Sequence, residues 1–194
     1  MATSVIEICN NALLDLGEDT ITALTDNSRA ARLCNQRWPA VRDAVLRAHP
    51  WNCCMAQAEL AAAGSAPLWR WDWQYPLPAD FLRVVLLTNA LQRSITEWEV
   101  QGRHAYCDEP APLFLAYVRR ETDPQKYDAL LSEALSARLA ATLAYPLSGS
   151  SSLAEGFWKL YQEKILEARG VDAREGVAES VVTGAGWLSA KYGA

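Results

Sequence analysis

Apolar residues recur every three or four positions at both ends of this chain and every second position in its middle. That change of period requires helix, then strand, then helix again within one polypeptide. In the first stretch Val5, Ile8, Cys9, Ala12, Leu13 and Leu16 share one helical face. Ser4 with Glu7 fits a capping box at its start, and Gly17 supplies the stop. Ile21 and Leu24 anchor a connector, and Asn27 or Ser28 caps a second helix whose stripe is Ala30, Ala31, Cys34, Trp38, Val41 and Val45. Pro39 falls inside this stripe and predicts a kink or interruption near Trp38; Pro50 ends the helix.

The period then shortens. Trp69, Trp71, Trp73 and Tyr75 alternate with Arg70, Asp72 and Gln74, the pattern of a strand with one apolar face, which Pro76-Leu77-Pro78 should break. Residues 84–87, 97–100 and 113–118 are further strand candidates, separated by turn chemistry at Asn89, Gly102 and Pro110-Ala-Pro112. Three uses of the tryptophan stripe stay open: a cover for the helices, a subunit contact, or a stacking platform for sugars or bases.

Helix returns at Asp123-Pro124, an N-cap followed by proline at the first helical position, and continues through Leu131, Leu135 and Leu139 to Tyr145-Pro146. A loop at 148–152 leads to a last helix with Phe157, Leu160, Tyr161, Ile165 and Ala168 inward. The reading is α+β, mainly α: an antiparallel helical bundle with an inserted small antiparallel sheet or hairpin and an extended C-terminal arm. Helices are expected at about 4–16, 28–49, 124–145 and 153–169, the β insertion at about 56–119, one domain over 1–170, and the arm at 171–194.

Composition narrows the function. The 194 residues carry a net charge of -5, and each successive block of about fifty is slightly acidic, so no basic face for nucleic acid is expected. No apolar run reaches the roughly 20 residues that span a bilayer, and the first residues lack a secretion leader's basic and apolar regions. Five cysteines, an odd number with the vicinal pair Cys53-Cys54, fit a reducing compartment and synthesis in the cytoplasm; neither they nor His49 and His104 show metal-ligand spacing. His49 is expected to satisfy the carbonyls at a helix end and His104 to be an exposed hairpin residue. There is no glycine-rich phosphate loop or nucleophile elbow, and Glu97/Glu99 and Asp108/Glu109 lack companions. No enzyme activity, metal or cofactor is expected.

Three stretches together resemble the head-to-tail adaptors of tailed bacteriophages, the connector family that includes the tail tubular protein A or gatekeeper group. Ala30-Ala-Arg-Leu-Cys-Asn-Gln-Arg-Trp-Pro-Ala-Val-Arg-Asp-Ala-Val-Leu-Arg-Ala-His-Pro-Trp-Asn52 is similar to the family's second helix, with its Arg-Asp, Leu-Arg and Pro-Trp-Asn ending. Trp71-Asp-Trp-Gln-Tyr-Pro-Leu-Pro-Ala-Asp-Phe-Leu-Arg83 is similar to its aromatic strand running into Leu-Pro-x-Asp-x-Leu-Arg. Residues 134–147, with Glu167-Ala-Arg-Gly-Val-Asp172, resemble its C-terminal helix pair. Cys53-Cys54 departs from the family, which often has an aromatic and a small residue there. The likeness covers most of residues 1–175.

The resemblance implies a virion structural protein at the head-tail interface. Copies would form a ring, of about twelve by family analogy, under the portal protein. DNA would pass through the lumen without specific binding, and the next tail component, a nozzle or stopper protein, would dock on the far side. No membrane is involved. A ring needs two different patches per subunit, and Trp69, Trp71 and Trp73 with Arg37 and Arg42 are the expected subunit contacts. Trp187, Leu188 and Tyr192, in the glycine-spaced tail, are the expected portal-binding anchors. Leu77-Pro78-Ala79-Asp80 is expected to fix how the sheet leaves the bundle. The alternative is a carbohydrate-binding module using the Trp69/Trp71/Trp73/Tyr75 face.

Overall fold

The structure, a computed structural model, describes residues 4–175. Four helices, α1 (Val5–Asp15), α2 (Arg29–Arg47), α3 (Ala129–Ser148) and α4 (Ser151–Glu175), form a bundle, and a β unit is inserted in the chain between α2 and α3. The fold is α+β and mainly α.

Each helix start has a side-chain acceptor for its free amides. The Ser4 hydroxyl accepts from Glu7 N–H at 3.1 Å, Ser28 from Ala31 N–H at 3.0 Å, and Asp128 from Leu130 N–H at 2.8 Å. Gly17 (φ 73°) and Gly149 (φ 71°) take the left-handed conformation just after α1 and α3, where a side chain would be strained. Helix α3 is central, touching α1, α2 and α4. Its Leu131, Leu135, Leu139 and Leu143 are fully buried, and Ala134 and Ala140 let neighbouring backbones approach. Trp51 is fully buried in this core, 1% exposed, its indole N–H donating to Val45 C=O at 3.0 Å near the end of α2.

The β unit has six strands: β1 (Met55–Leu60), β2 (Trp73–Pro76), β3 (Phe81–Thr88), β4 (Glu99–Gln101), β5 (His104–Cys107) and β6 (Leu113–Arg119). They form two antiparallel three-stranded sheets, ordered β1-β6-β3 and β2-β5-β4. The inner rows of the two sheets, Leu60, Leu87, Leu113, Leu115 and Tyr117 against Tyr75, Ala105 and Cys107, make a second apolar cluster. The sheets therefore stack face to face, each with an outer face of its own.

The two cores meet at the root of the first sheet. Leu82, Cys54 and Val118 belong to the helical core. The Arg47 guanidinium donates to Leu82 C=O, and Asp80 accepts from Tyr117 O–H at 3.0 Å while its carbonyl accepts from Arg120 N–H at 2.6 Å. The Leu77–Asp80 turn thus fastens β3 to β6 where the sheet leaves the bundle.

Several expectations need correction. Helix α2 runs unbroken through Pro39: the carbonyl left without a donor belongs to Asn35, and both residues face solvent. Tyr127 precedes α3 instead of lying on it, because Pro124–Lys126 forms a separate single turn and α3 starts at Ala129. Helix α4 continues to Glu175, past the expected end at 169, so residues 171–175 are helix and not arm. Gly170 is exposed, and the inward series Ile165, Ala168, Asp172 holds the last turns down. Trp69 and Trp71 lie in a loop, so the strand is shorter than the stripe; it stops at Pro76, as Pro76-Leu77-Pro78 implied, on an edge where a missing N–H is tolerated. The single sheet or hairpin is two sheets, with β1 and β5 unanticipated as strands. His49 faces the Asp172 carboxylate at 3.1 Å, not the α2 carbonyls, and His104 is half-buried in β5. Among the described residues no helix is long and apolar enough to cross a membrane, and no three His, Cys, Asp or Glu gather as metal ligands.

Candidate interaction surface

The loop from Ala61 to Asp72 crosses the outer face of the second sheet, and its sequence explains why it does so rigidly. Gly64-Ser65-Ala66-Pro67 is turn chemistry, and Arg70 takes φ 72°. Ala63 N–H donates to Gln74 C=O at 2.8 Å, and the Gln74 amide returns two bonds to Ser65, at 2.8 and 3.0 Å. Asp72 N–H donates to the Asp108 carboxylate at 3.0 Å. The Trp71 indole N–H donates to Glu99 at 3.3 Å, and the Arg70 guanidinium stacks 4.8 Å over the Trp71 ring and lies 3.6 Å from Glu99. Hydrogen bonds from Gln101 and Trp71, with Arg70 nearby, hold the Glu99 carboxyl below the usual carboxylate range. Glu99 is thus a brace for the loop.

What this scaffold presents is apolar. Leu68 is 100% exposed and Trp69 75% exposed, at the crest of the loop. Trp73 is 39% exposed at the start of β2, and Trp98 is also exposed. Tyr75 is 0% exposed: its ring packs between the sheets and its hydroxyl donates to Glu109 C=O at 2.6 Å, burial raising its pKa to about 12. The four aromatics therefore form no common flat face. An open concavity of about 390 Å³ lies between Trp71 and Trp98, edged by Arg70, Glu97 and Glu99.

The opposite side of the β unit is the outer face of the first sheet. Two cross-strand rows line it, Glu59–Phe114–Thr88 and Gln57–Ala116–Leu86. They bound a shallow concavity of about 600 Å³. The next row toward the helices, containing Met55 and Val118, is packed into the bundle. One face is thus half covered by the chain's own helices and half open.

The expected contact residues are divided between the two parts of the molecule. Trp69, Trp71 and Trp73 belong to the loop and β2; Arg37 and Arg42 belong to α2. Arg37 is exposed. Arg42 is largely buried and paired with Asp43 at 2.8 Å, and Asp43 also holds Arg120 at 2.8 Å, so Arg42 is occupied within its own chain. Trp187, Leu188 and Tyr192 lie outside the described residues. Leu68, Trp98 and Phe114 went unremarked in the sequence. For Leu68 there was a signal: an apolar pair inside Gly-Ser-Ala-Pro turn chemistry has no core to enter.

A second polar site joins the end of α4 to the start of the β unit. Asp172 is buried, and its carboxylate accepts from Asn52 N–H and faces His49 Nε2, each at 3.1 Å. The Asn52 amide donates to Asp172 C=O at 2.8 Å. Burial lowers the His49 pKa, with Asp172 opposing the shift in part. These contacts lock the end of α4 to the segment after α2. No family model matches this chain, and no curated protein matches it either.

Proposed function

We propose that this chain is a structural adaptor subunit of a tailed-phage particle, one that assembles into a ring beneath the portal and receives the next tail component, without catalysis or cofactor. The observation that carries this reading is the order of the fold. The three stretches that resemble the adaptor family fall on α2, on the segment from Trp71 into β3, and on α3 with α4, so a helical bundle is interrupted once by an aromatic-bearing β unit. The apolar surface also supports it. Leu68 and Trp69 stand on one side of the β unit and the Phe114 face on the other, two different patches of the kind a closed ring requires. The net charge of -5 suits a lumen through which DNA slides, since attraction to phosphate comes from Lys and Arg.

The test is the mass of the complex formed when the chain is titrated into portal rings of its own particle. Saturable addition of one chain per portal subunit supports the reading; no binding at micromolar concentration overturns it. A second reading, a carbohydrate-binding module, is favoured by the Trp71–Trp98 concavity with its flanking carboxylates. It requires sugar-dependent quenching of tryptophan fluorescence that a Trp98→Ala variant abolishes.

A further inference from the structure

We infer that the Leu68–Trp69 crest of one copy seats on the open outer face of the first sheet of a second copy, and that this head-to-tail contact links subunits. The inference rests on the adaptor reading only in taking the chain to self-assemble.

The crest is built for contact. A loop held by six hydrogen bonds, from Ala63, Gln74, Asp72 and the backbone and indole of Trp71, keeps two large apolar side chains in water. Such side chains lose little freedom on docking, which is the property of an anchor residue. The face is built to be covered, because its lower row is already under the helices while Phe114, Ala116 and Leu86 above it are not. Its volume of about 600 Å³ accommodates both an indole and a leucine side chain. Charge agrees: Arg70, half-exposed beside Glu99, accompanies the crest, and Glu59 is the acidic residue in the face.

Geometry selects a second copy as the occupant. The two sheets stack face to face, so the crest and the open face point away from each other on opposite sides of one β unit. No chain can fill its own face. Translation of one copy beside another brings crest to face, and each subunit then still offers a free crest at one side and a free face at the other. Repetition of this heterologous contact gives a ring if the rotation closes.

Two variants test it, each checked for native circular dichroism. Leu68→Ser/Trp69→Ser removes the crest. Phe114→Lys blocks the face, with Lys opposite Glu59 preserving the strand pair and repelling Arg70; Ala116→Arg is the second blocker should Phe114→Lys fail to fold. Association is read by sedimentation, with the chain alone and on portal rings. Each variant should associate about thirtyfold more weakly than wild type. An equimolar mixture of the two should give a two-chain complex and nothing larger, because one partner brings the intact face and the other the intact crest. If wild type assembles and the variants assemble equally well, this contact is wrong while the adaptor reading stands. If wild type neither self-associates nor adds to portal rings, both fail. A monomeric wild type whose crest binds a soluble glycan, and loses it in Leu68→Ser/Trp69→Ser, also overturns the contact.

Discussion

Replacing Glu121 with alanine should be among the most damaging single changes on the polar side of this molecule. Glu121 is buried between the end of β6 and the start of α3. Its Oε1 accepts from the N–H groups of Thr122 and Asp123, both at 3.0 Å, and its Oε2 from Arg119 and from Lys126 Nζ at 3.0 Å. Its own carbonyl accepts from Tyr127 O–H at 2.6 Å. Glu121→Ala strips acceptors from two amides and leaves Arg119, whose Nε already lacks a partner, uncompensated. Thr122 and Lys126 are exposed and recover water, so the loss lies near the lower end for a broken buried pair, about 3 kcal/mol. For a chain of this size that lowers Tm by roughly 6–12 °C. Burial alone would raise the Glu121 pKa, but the Asp123 amide, Lys126 and Arg119 together hold it below the usual glutamate range. With the folded value depressed, the stabilisation is present above the unfolded value of 4.5 and is lost as pH falls through the folded one. Thermal melting of wild type and Glu121→Ala followed at pH 7 and at pH 3 should therefore show a wide gap that narrows in acid. A gap below about 2 °C at pH 7, or one that stays constant down to pH 3, would refute the reasoning.

Trp51→Ala should cost about 3–5 kcal/mol by urea unfolding, since it empties a fully buried indole site and removes the donor to Val45; Trp51→Phe should lose about half as much. His49, held neutral by burial, binds its proton more readily in the unfolded chain. Stability should accordingly decline as pH drops below 6.5 towards the lower folded value, and His49→Gln should flatten that slope in a urea-midpoint series. Arg138 lies 3.8 Å over Trp158 and 5.0 Å over Tyr161, yet its Nη1 is buried without an acceptor. The stacking, worth about 0.5–2 kcal/mol, and the unmet donor, costing about 1–3, nearly cancel. Arg138→Met should then melt within about 3 °C of wild type, while Arg138→Ala, which also loses the packed stem, should melt lower.

The helices were legible because their apolar residues repeat locally: Ile8, Leu13, Ala31, Val41, Leu135 and Ile165 are buried on the faces that their spacing marks. Pro39 does not interrupt α2, because the effect of a proline depends on which side of the helix its missing bond falls, and that side is wet. The tryptophan stripe misled for a related reason. Its alternation is that of a strand, but Arg70 turns left-handed and lifts Trp69 out of the sheet, and only Trp73–Pro76 pairs. Strands β1 and β5 carry short, weak patterns and exist through pairing, β1 with the distant β6, and β5 with the distant β2 as well as the adjacent β4. The candidate surface was half visible. Trp69 stood out as a residue type, but the open face opposite it is assembled from β1, β3 and β6, and no local pattern marks residues that become neighbours only through sheet register.

The β unit joins the rest of the molecule by two chain crossings only, and these lie side by side: Met55 and Val118 are direct partners on adjacent strands. Everything between them can lengthen, shorten or be exchanged without moving the helices, provided that the replacement begins and ends as two antiparallel strands about 5 Å apart and keeps the apolar plug of Leu82 and Val118. Such a chain is organised as a socket with an interchangeable head. The helices can stay matched to one partner while the head is re-cut for another, so relatives of this protein should differ most in the head's loops, at 61–70 and 89–98, and least where the sheet is rooted, Leu77–Leu82 included.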